Sequence, residues 1–227
     1  MVALLLATAL VMGADDPKEG AKKSSGNDVV DKMPPELIAG LKKNLKGQLA
    51  FDKKTGEVAL AYDFANVKQM QDFEVSKTKP VLNNDGLCLG VGVNVKHVAR
   101  FRTMRVSAEL RLKQMRGQVL RTDRVSIGTG GLNPDTVYLG IEGHDGSSAI
   151  VPDKLRSGVV PIKLAIEDER TLFAWGDSTV GKDAPGVPAG QLQLFGGENG
   201  FCFKKLVIAG ELEPAWAETI TELKKKK

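Results

Sequence analysis

The stretch from Gly190 to Leu212 constrains the fold more than any other part of the chain. Its first half alternates between two faces, as a β-strand with one buried side does. One face carries Leu192 and Leu194, and the other carries Gln191, Gln193 and Phe195. A turn rich in glycine follows at residues 196–200, where positive backbone φ angles are tolerated. The stretch therefore predicts an antiparallel hairpin.

The second strand of this hairpin predicts an irregularity. The apolar face that includes Phe203 resumes at Leu206 and Ile208, which breaks the spacing of two. One extra residue, at Lys204 or Lys205, restores the register and makes a β-bulge.

Most of the preceding chain divides into short apolar runs that are separated by turn residues. Gln48 to Phe64 is interpreted as a hairpin. Further strands are predicted at Phe73–Ser76, Gly86–Val93, Phe101–Leu112, Val119–Ile127, Val137–Glu142, Val159–Glu167 and Thr171–Trp175. The basic run around His97 is interpreted as an exposed loop. Because no long helix intervenes between these strands, they favour an all-β antiparallel sandwich over a parallel α/β sheet.

The two ends of the chain are expected to be accessory to a β-sandwich at residues 48–212. Residues 1–14 resemble a signal peptide, because the apolar run Val2–Met12 is too short to cross a bilayer and small residues follow it. A buried N-terminal strand and a mis-set start are the alternatives. The polar run at 15–33 predicts a flexible linker. Short helices are expected at 34–47 and within 213–227, the second ending in a lysine tail.

The charge distribution argues against a nucleic-acid partner. The formal net charge is +4, but four of the 32 Lys and Arg form the final run at 224–227, and the remaining 28 equal the 28 Asp and Glu. A nucleic-acid-binding protein needs a basic stripe along its binding face.

The apolar run at Val2–Met12 is too short to be a transmembrane segment. Export to the periplasm, cell envelope or exterior is therefore expected. The sequence leaves the oligomeric state open.

A series of strand motifs resembles the concanavalin A-like lectin/glucanase superfamily over residues 48–212. The motifs are, in order, YDF at 62–64, QMQDF at 69–73, NDG at 84–86, PIKLAIE at 161–167, FAWGD at 173–177 and GFCFKKLVIAGEL at 200–212. The chain is similar in particular to bacterial exported domains of uncharacterised function and to the 3-keto-disaccharide hydrolase domain family. This resemblance implies a jelly-roll sandwich and a role connected with carbohydrates, although a shared fold does not carry a function with it.

Catalytic signatures are sparse in the sequence. A retaining glycosidase of this kind would be expected to carry paired carboxylates in a pattern such as E-x-D-x-x-E, and that pattern is absent. The acidic run at 167–169 is interpreted as a solvated turn. Glu142, His144 and Asp145 could supply an acid/base pair or metal ligands, or could form an ordinary polar turn. No catalytic residue is assigned.

Aromatic residues give the clearest ligand-binding hypothesis. If Leu172 and Ala174 face the core, then Phe173 and Trp175 point outward, and Tyr138 points outward by the same argument on its own strand. Outward rings could stack against sugar rings, whereas core filling is the alternative, above all for Trp175. The candidate ligand-binding residues are Tyr138, Glu142, Phe173 and Trp175.

Two cysteines and one acidic turn complete the candidate sites. Cys88 and Cys202 both lie opposite the apolar faces of their strands, so they could form a disulfide in an exported protein or remain free thiols. The turn Asn83, Asn84 and Asp85 could bind Ca²⁺, but it is first of all a turn, and no cofactor or metal is assigned. The sequence thus favours a non-catalytic carbohydrate-binding or envelope-scaffold module, with a glycan or envelope polymer as partner, over a glycan-cleaving enzyme.

Overall fold

The computed structural model describes residues 33–222, apart from residues 53, 77, 131 and 132. The signal peptide, most of the linker and the lysine tail therefore lie outside the described residues. Two helices flank the strands, α1 at Pro35–Asn44 and α2 at Pro214–Glu222. The strands are β1 Gln48–Asp52, β2 Glu57–Tyr62, β3 Phe73–Val75, β4 Val81–Asn83, β5 Gly86–Leu89, β6 Asn94–Phe101, β7 Met104–Leu112, β8 Gly117–Arg121, β9 Val125–Thr129, β10 Thr136–Ile141, β11 His144–Ile150, β12 Gly158–Ile166, β13 Arg170–Trp175, β14 Ser178–Asp183, β15 Gly190–Phe195 and β16 Phe201–Glu211.

The strands form two antiparallel sheets of a sandwich. The nine-stranded sheet has the order β1-β2-β16-β7-β12-β13-β14, and β5, with β4 beyond it, pairs with the first part of β16. The seven-stranded sheet has the order β11-β10-β9-β8-β15-β6-β3. Apolar residues on the inner faces of both sheets make one continuous core, as the alternating burial along β6, β7 and β15 requires.

The segment from Gly190 to Leu212 forms both predicted strands, but the predicted antiparallel hairpin is wrong, because the two strands do not pair with each other. β15 and β16 lie in different sheets, so the turn at 196–200 carries the chain from one layer to the other. The pairing of β16 with β7 shifts register between Lys204 and Val207, and Lys205 has a positive φ of 51°. The predicted β-bulge is confirmed, and it keeps Phe203, Leu206 and Ile208 all fully buried.

Several strand assignments differ from the sequence prediction, which also lacks β4 and β14 altogether. The basic run at 94–101 is a central strand, β6, and not a loop. The single strand expected at Val119–Ile127 is two strands, β8 and β9, joined by a turn at 122–124. The polar run at 144–150 is the edge strand β11. In β6, polar side chains on the solvent side conceal the period of two, because only one face of the strand packs on the core.

α1 and α2 pack against each other, and both contribute to the apolar interior. Leu41 of α1 is fully buried, Ile220 of α2 is nearly so, and Gly40 allows the close approach, since a Cβ atom there would meet Ile220. No helix in the described part of the chain is long and apolar enough to cross a membrane.

Candidate functional site

The outer face of the seven-stranded sheet is the candidate site, and we call it the polar face. Its central row crosses six strands in register and consists of Gly140, Ser126, Arg121, Gln193, Lys96 and Glu74. A second row, one pleat away, contains Ser148, Tyr138, Gly128 and Gln118. The polar face therefore offers hydroxyl, amide and cationic groups across the middle of the sheet, where core residues occupy the opposite side.

Tyr138 supplies the aromatic surface of the polar face. It stands on β10 directly opposite Gly128 of β9, and its side chain is partly exposed. A Cβ atom at Gly128 would collide with the Tyr138 ring, so the ring leans across β9 and covers the glycine. Covering a glycine stabilises a sheet, and the same geometry leaves one side of a flat ring available for a ligand.

Polar side chains lie on the strands beyond this ring. Gln118 Nε2 donates a hydrogen bond to Ser126 Oγ at 3.0 Å, which orients the amide on the sheet surface. Gln193 lies between Arg121 and Lys96 and is partly exposed. Groups of this kind, beside a flat aromatic ring, are those that bind sugar hydroxyls.

A network of ion pairs closes one end of the polar face. Arg100 Nε contacts Glu213 at 2.6 Å, and Arg100 Nη2 contacts Asp123 at the same distance. The hydrogen bond with Glu213, followed by that with Asp123, raises the pKa of Arg100. Gln191 donates to the carbonyls of His97 and Val98, where the register of β15 and β6 shifts. These contacts hold the edge of the face in place. The polar groups that form them are already engaged with each other.

The structure moves two predicted site residues away from the surface. Phe173 and Trp175 are fully buried between the sheets, and Leu172 and Ala174 are the residues of β13 that face outward. The expectation that both rings point outward is wrong, because the larger aromatic side chains bury more apolar area than a leucine and an alanine would. The indole N–H of Trp175 donates to the Leu155 carbonyl at 2.8 Å, so its one polar atom is satisfied inside.

The remaining acidic candidates lie at the rim. Glu142 follows β10 and is exposed, with one carboxylate oxygen 3.6 Å from Arg124. His144 and Asp145 begin β11 and are also exposed. Glu142 is four positions after Tyr138 in the sequence, so its Cα atom lies about 13 Å farther along the strand direction. Of the four ligand-binding candidates, only Tyr138 lies on the polar face itself.

A buried polar chain lies behind the polar face, on the inner side of β6. His97 is fully buried, its Nδ1 accepts the Ala99 N–H at 3.1 Å, and its Nε2 lies 2.8 Å from Tyr62 Oη. Since Nδ1 accepts, Nε2 carries the proton and donates to Tyr62, whose hydroxyl donates to Asp72 at 2.9 Å. Asp72 also accepts the backbone N–H groups of Lys46 and Gly47.

This series of hydrogen bonds connects the end of α1 to the sandwich. The side chains of His97, Tyr62 and Asp72 are all buried, so none of them is accessible to a ligand. Burial lowers the pKa of His97 to about 4, so the ring is neutral at pH 7. Burial, and then the charge of Asp72, raises the pKa of Tyr62 far above its ordinary value. The expectation of an exposed His97 is wrong, because the alternation of Val95, His97 and Ala99 faces the core.

The two cysteines and the acidic turn lie on the other sheet. Cys88 and Cys202 face each other across β5 and β16 and form a disulfide. In the neighbouring turn, Asn83 Oδ1 accepts the Asp85 N–H at 2.8 Å, and Asp85 pairs with Arg111. Among the described residues, no group of three His, Cys, Asp or Glu side chains is placed to hold a metal ion.

Comparisons with known proteins identify the architecture. No family model matches the chain, and no curated protein matches it. The apo Crh5 transglycosylase superposes with a TM-score of 0.53 at 13% identity, over 77% of this chain and 91% of that chain. The protein has a concanavalin A-like fold.

Two glucanase structures show the same similarity. SCLam, a non-specific endo-β-1,3(4)-glucanase from family GH16, gives a TM-score of 0.52 at 9% identity, over 76% of this chain and 98% of that chain. The β-glucanase of Bacillus licheniformis gives 0.50 at 9% identity, over 67% and 98%. At these identities the similarity establishes the concanavalin A-like jelly-roll fold alone.

Sequence reasoning missed most of the polar face of this concanavalin A-like sandwich. The signal for Gln193 was present in the alternation of β15, where it opposes Leu192 and Leu194. Lys96 was concealed because its basic neighbourhood was interpreted as a loop. Arg121 was concealed because the strand expected at 119–127 hid the turn that ends β8.

Proposed function

We propose that this protein is an exported, non-catalytic carbohydrate-binding module whose binding site is the polar face. The observation that carries the proposal is the partly exposed Tyr138 ring, whose outer end covers Gly128 on a sheet face that also carries hydroxyl and amide groups. A sugar ring has one apolar face and a periphery of hydroxyls, so one sugar of a glycan chain can stack on Tyr138 while the following sugars bond to Gln118 and Gln193 through their hydroxyls.

The placement of carboxylates favours binding over cleavage. A glycosidase needs two carboxyl groups about 5 to 9.5 Å apart. Within the described strands of the seven-stranded sheet, the carboxylates are Glu74 on β3 and Asp145 on β11, at opposite edges. Six inter-strand spacings of about 4.8 Å separate them, or about 29 Å along the sheet. That separation is three times larger than the reaction tolerates.

A second pair of carboxylates lies at the end of the face. Asp123 and Glu213 both contact Arg100, and its guanidinium group occupies the space between them. Both carboxylates are already engaged by the Arg100 guanidinium at 2.6 Å. This pair therefore suits a structural ion pair better than catalysis.

Two further observations support a carbohydrate ligand and export. The structures with the same fold carry the names transglycosylase and glucanase, both of which are proteins that act on carbohydrates. The apolar run at Val2–Met12 and the Cys88–Cys202 disulfide both suit a protein that leaves the reducing cytosol. A scaffold role in the envelope is included in the proposal, since a bound polymer would anchor the module there.

The test is a glycan-binding screen on the purified protein that also follows product release. We expect binding without turnover, and a loss of about tenfold in affinity, or about 1.4 kcal/mol, for Tyr138→Leu. Leucine keeps an apolar cover over Gly128 but removes the stacking surface. Tyr138→Phe keeps the ring and should retain most of the affinity.

Two results would contradict the proposal. Release of sugar products, abolished by Glu142→Gln or Glu74→Gln, would favour the alternative of a glycan-cleaving enzyme similar to 3-keto-disaccharide hydrolases. Unchanged affinity in Tyr138→Leu would move the site away from the polar face. Trp175→Ala serves as a control, because a buried ring should lower stability without lowering the affinity of the molecules that remain folded.

A further inference from the structure

Arg121 is exceptional among the arginines of the protein. The described residues include nine arginines, and eight of them lie within 4.0 Å of a carboxylate; these are Arg100, Arg102, Arg105, Arg111, Arg116, Arg124, Arg156 and Arg170. Arg121 has no such partner among the described residues. The closest acid in sequence, Asp123, is held by Arg100 at 2.6 Å.

Arg121 also lies at the centre of the polar face and not at its rim. It ends β8, is exposed, and stands directly opposite Gln193 of β15. On the far side of Gln193, Lys96 of β6 projects from the same row. Two strand spacings separate Arg121 from Lys96, or about 10 Å.

Lys96 likewise forms no ion pair with another described residue. Glu74 stands opposite it on the edge strand β3, but no contact within 4.0 Å joins the two side chains. The central row of the polar face therefore carries two cations whose charges are not neutralised by the sheet, with a hydrogen-bonding amide between them. This contrasts with the ion-paired arginines elsewhere on the surface.

We infer that the ligand of the polar face is an acidic glycan, a polysaccharide whose sugar rings carry carboxylate groups. This inference rests on the proposed function and specifies its substrate class. The planar guanidinium of Arg121 matches a carboxylate in a two-point hydrogen bond, and Lys96 provides a second positive charge. The Tyr138 ring lies two strands and one pleat from Arg121, about 12 Å between Cα atoms, so one ligand chain can contact both.

The experiment compares carboxylated polysaccharides with neutral ones, and one pair, polygalacturonate and its methyl ester, shares a backbone and differs in charge. Affinity electrophoresis or calorimetry measures binding to polygalacturonate, to its methyl ester, to alginate and hyaluronate, and to a neutral β-glucan. We expect at least one carboxylated polymer to bind at least tenfold more tightly than its neutral counterparts, and this preference to weaken as salt is raised. Arg121→Gln and Lys96→Gln should each lower that affinity about tenfold.

Lys163→Gln is the matched control. Lys163 is an exposed lysine of β12 on the outer face of the other sheet, so the substitution removes the same charge without touching the polar face. We expect its affinity to stay within twofold of the wild type, on the order of 0.4 kcal/mol. Dextran sulfate tests for general adsorption of polyanions.

Three outcomes would overturn the inference. Equal binding of charged and neutral polymers would refute the acidic specificity and leave the carbohydrate-binding proposal intact. An equal loss of binding in Lys163→Gln, together with strong binding of dextran sulfate, would show adsorption by net charge alone. Binding of no glycan at all would refute the proposed function itself. Thermal unfolding of each variant confirms that the compared proteins are folded.

Discussion

The outer faces of the two sheets present different surfaces on the same sandwich. On the nine-stranded sheet, one row crosses seven strands in register and is made mostly of small residues; these are Ala50, Ala59, Ala209, Arg105, Ala165, Leu172 and Gly181. We call this surface the small-residue face. The central row of the polar face has four long polar side chains, those of Arg121, Gln193, Lys96 and Glu74, and contains no aliphatic side chain.

The arginines in the rows of the two faces also differ in their ion pairs. On the small-residue face, Arg105 contacts Glu57 and Lys205 contacts Glu109, each at 2.5 Å. On the polar face, Arg121 and Lys96 have no carboxylate partner among the described residues. An ion pair within a sheet satisfies its own charges, whereas an unpaired cation remains available to a ligand. The difference supports the proposal that the polar face binds a ligand.

Removal of the disulfide should give the largest change in stability, and it tests whether the two faces are independent. Cys88 and Cys202 lie on the small-residue side of the nine-stranded sheet and close a loop of 114 residues. In the chain-entropy model, such a loop contributes about 5 kcal/mol to the free energy of unfolding. We expect the double variant Cys88→Ser with Cys202→Ser to lose an amount of this order in urea denaturation.

The same variant should keep its glycan affinity while it is folded, because the disulfide does not touch the polar face. Labelling of thiols in the unreduced, denatured wild type provides the control, and it should find neither cysteine reactive. A lower glycan affinity of the folded variant would show that the two faces are coupled and would contradict their separation.

The next largest effect is the pH dependence of stability that His97 causes. It lies on β6 beside Lys96 but on the inner side, and burial lowers its pKa to about 4 from an ordinary value of 6.5. Above pH 6.5 the ring is neutral in both states, so it adds no pH dependence there. As the pH falls from 6.5 to 4, His97 binds a proton in the unfolded chain but stays neutral in the folded protein. The free energy of unfolding therefore decreases by about 3 kcal/mol.

Urea denaturation between pH 7 and pH 4 measures this effect in His97→Gln, which should show a flatter pH profile than the wild type. The matched control is His144→Gln, since His144 is the other histidine of the chain and is exposed on β11. An equal pH dependence in wild type and His97→Gln would show that the loss of stability comes from other groups.

The sequence was sufficient for the fold because the fold depends on periodicity. The alternation of β15 and the bulge at Lys204 and Lys205 both follow from which residues must reach the core. The same rule failed for β6, where lysine and arginine on the outer side obscured a buried histidine. It also failed for β13, where either face could have been the inner one and the larger rings took the interior.

The candidate site was less predictable, because it depends on which strands become neighbours. Arg121, Gln193 and Lys96 are far apart in sequence, and they form a row only because β8, β15 and β6 are adjacent in the sheet. The lack of an ion pair at Arg121 is likewise a property of the folded surface. Tyr138 was predictable as an outward ring, but its position over Gly128 needed the register of β10 and β9.

The smallest effect compares one arginine from each face. Arg105→Gln removes an ion pair with Glu57 from the small-residue face, and such surface pairs contribute up to about 1 kcal/mol. Arg121→Gln removes an exposed guanidinium with no carboxylate partner in the described structure, so its free energy of unfolding should stay within about 0.5 kcal/mol of the wild type. For glycan binding the order should reverse, with affinity reduced in Arg121→Gln and unchanged in Arg105→Gln. Thermal unfolding and affinity electrophoresis on the same two preparations measure both quantities. If Arg121→Gln proved the less stable of the two and bound glycan normally, Arg121 would be a structural residue, and the division of labour between the two faces would be wrong.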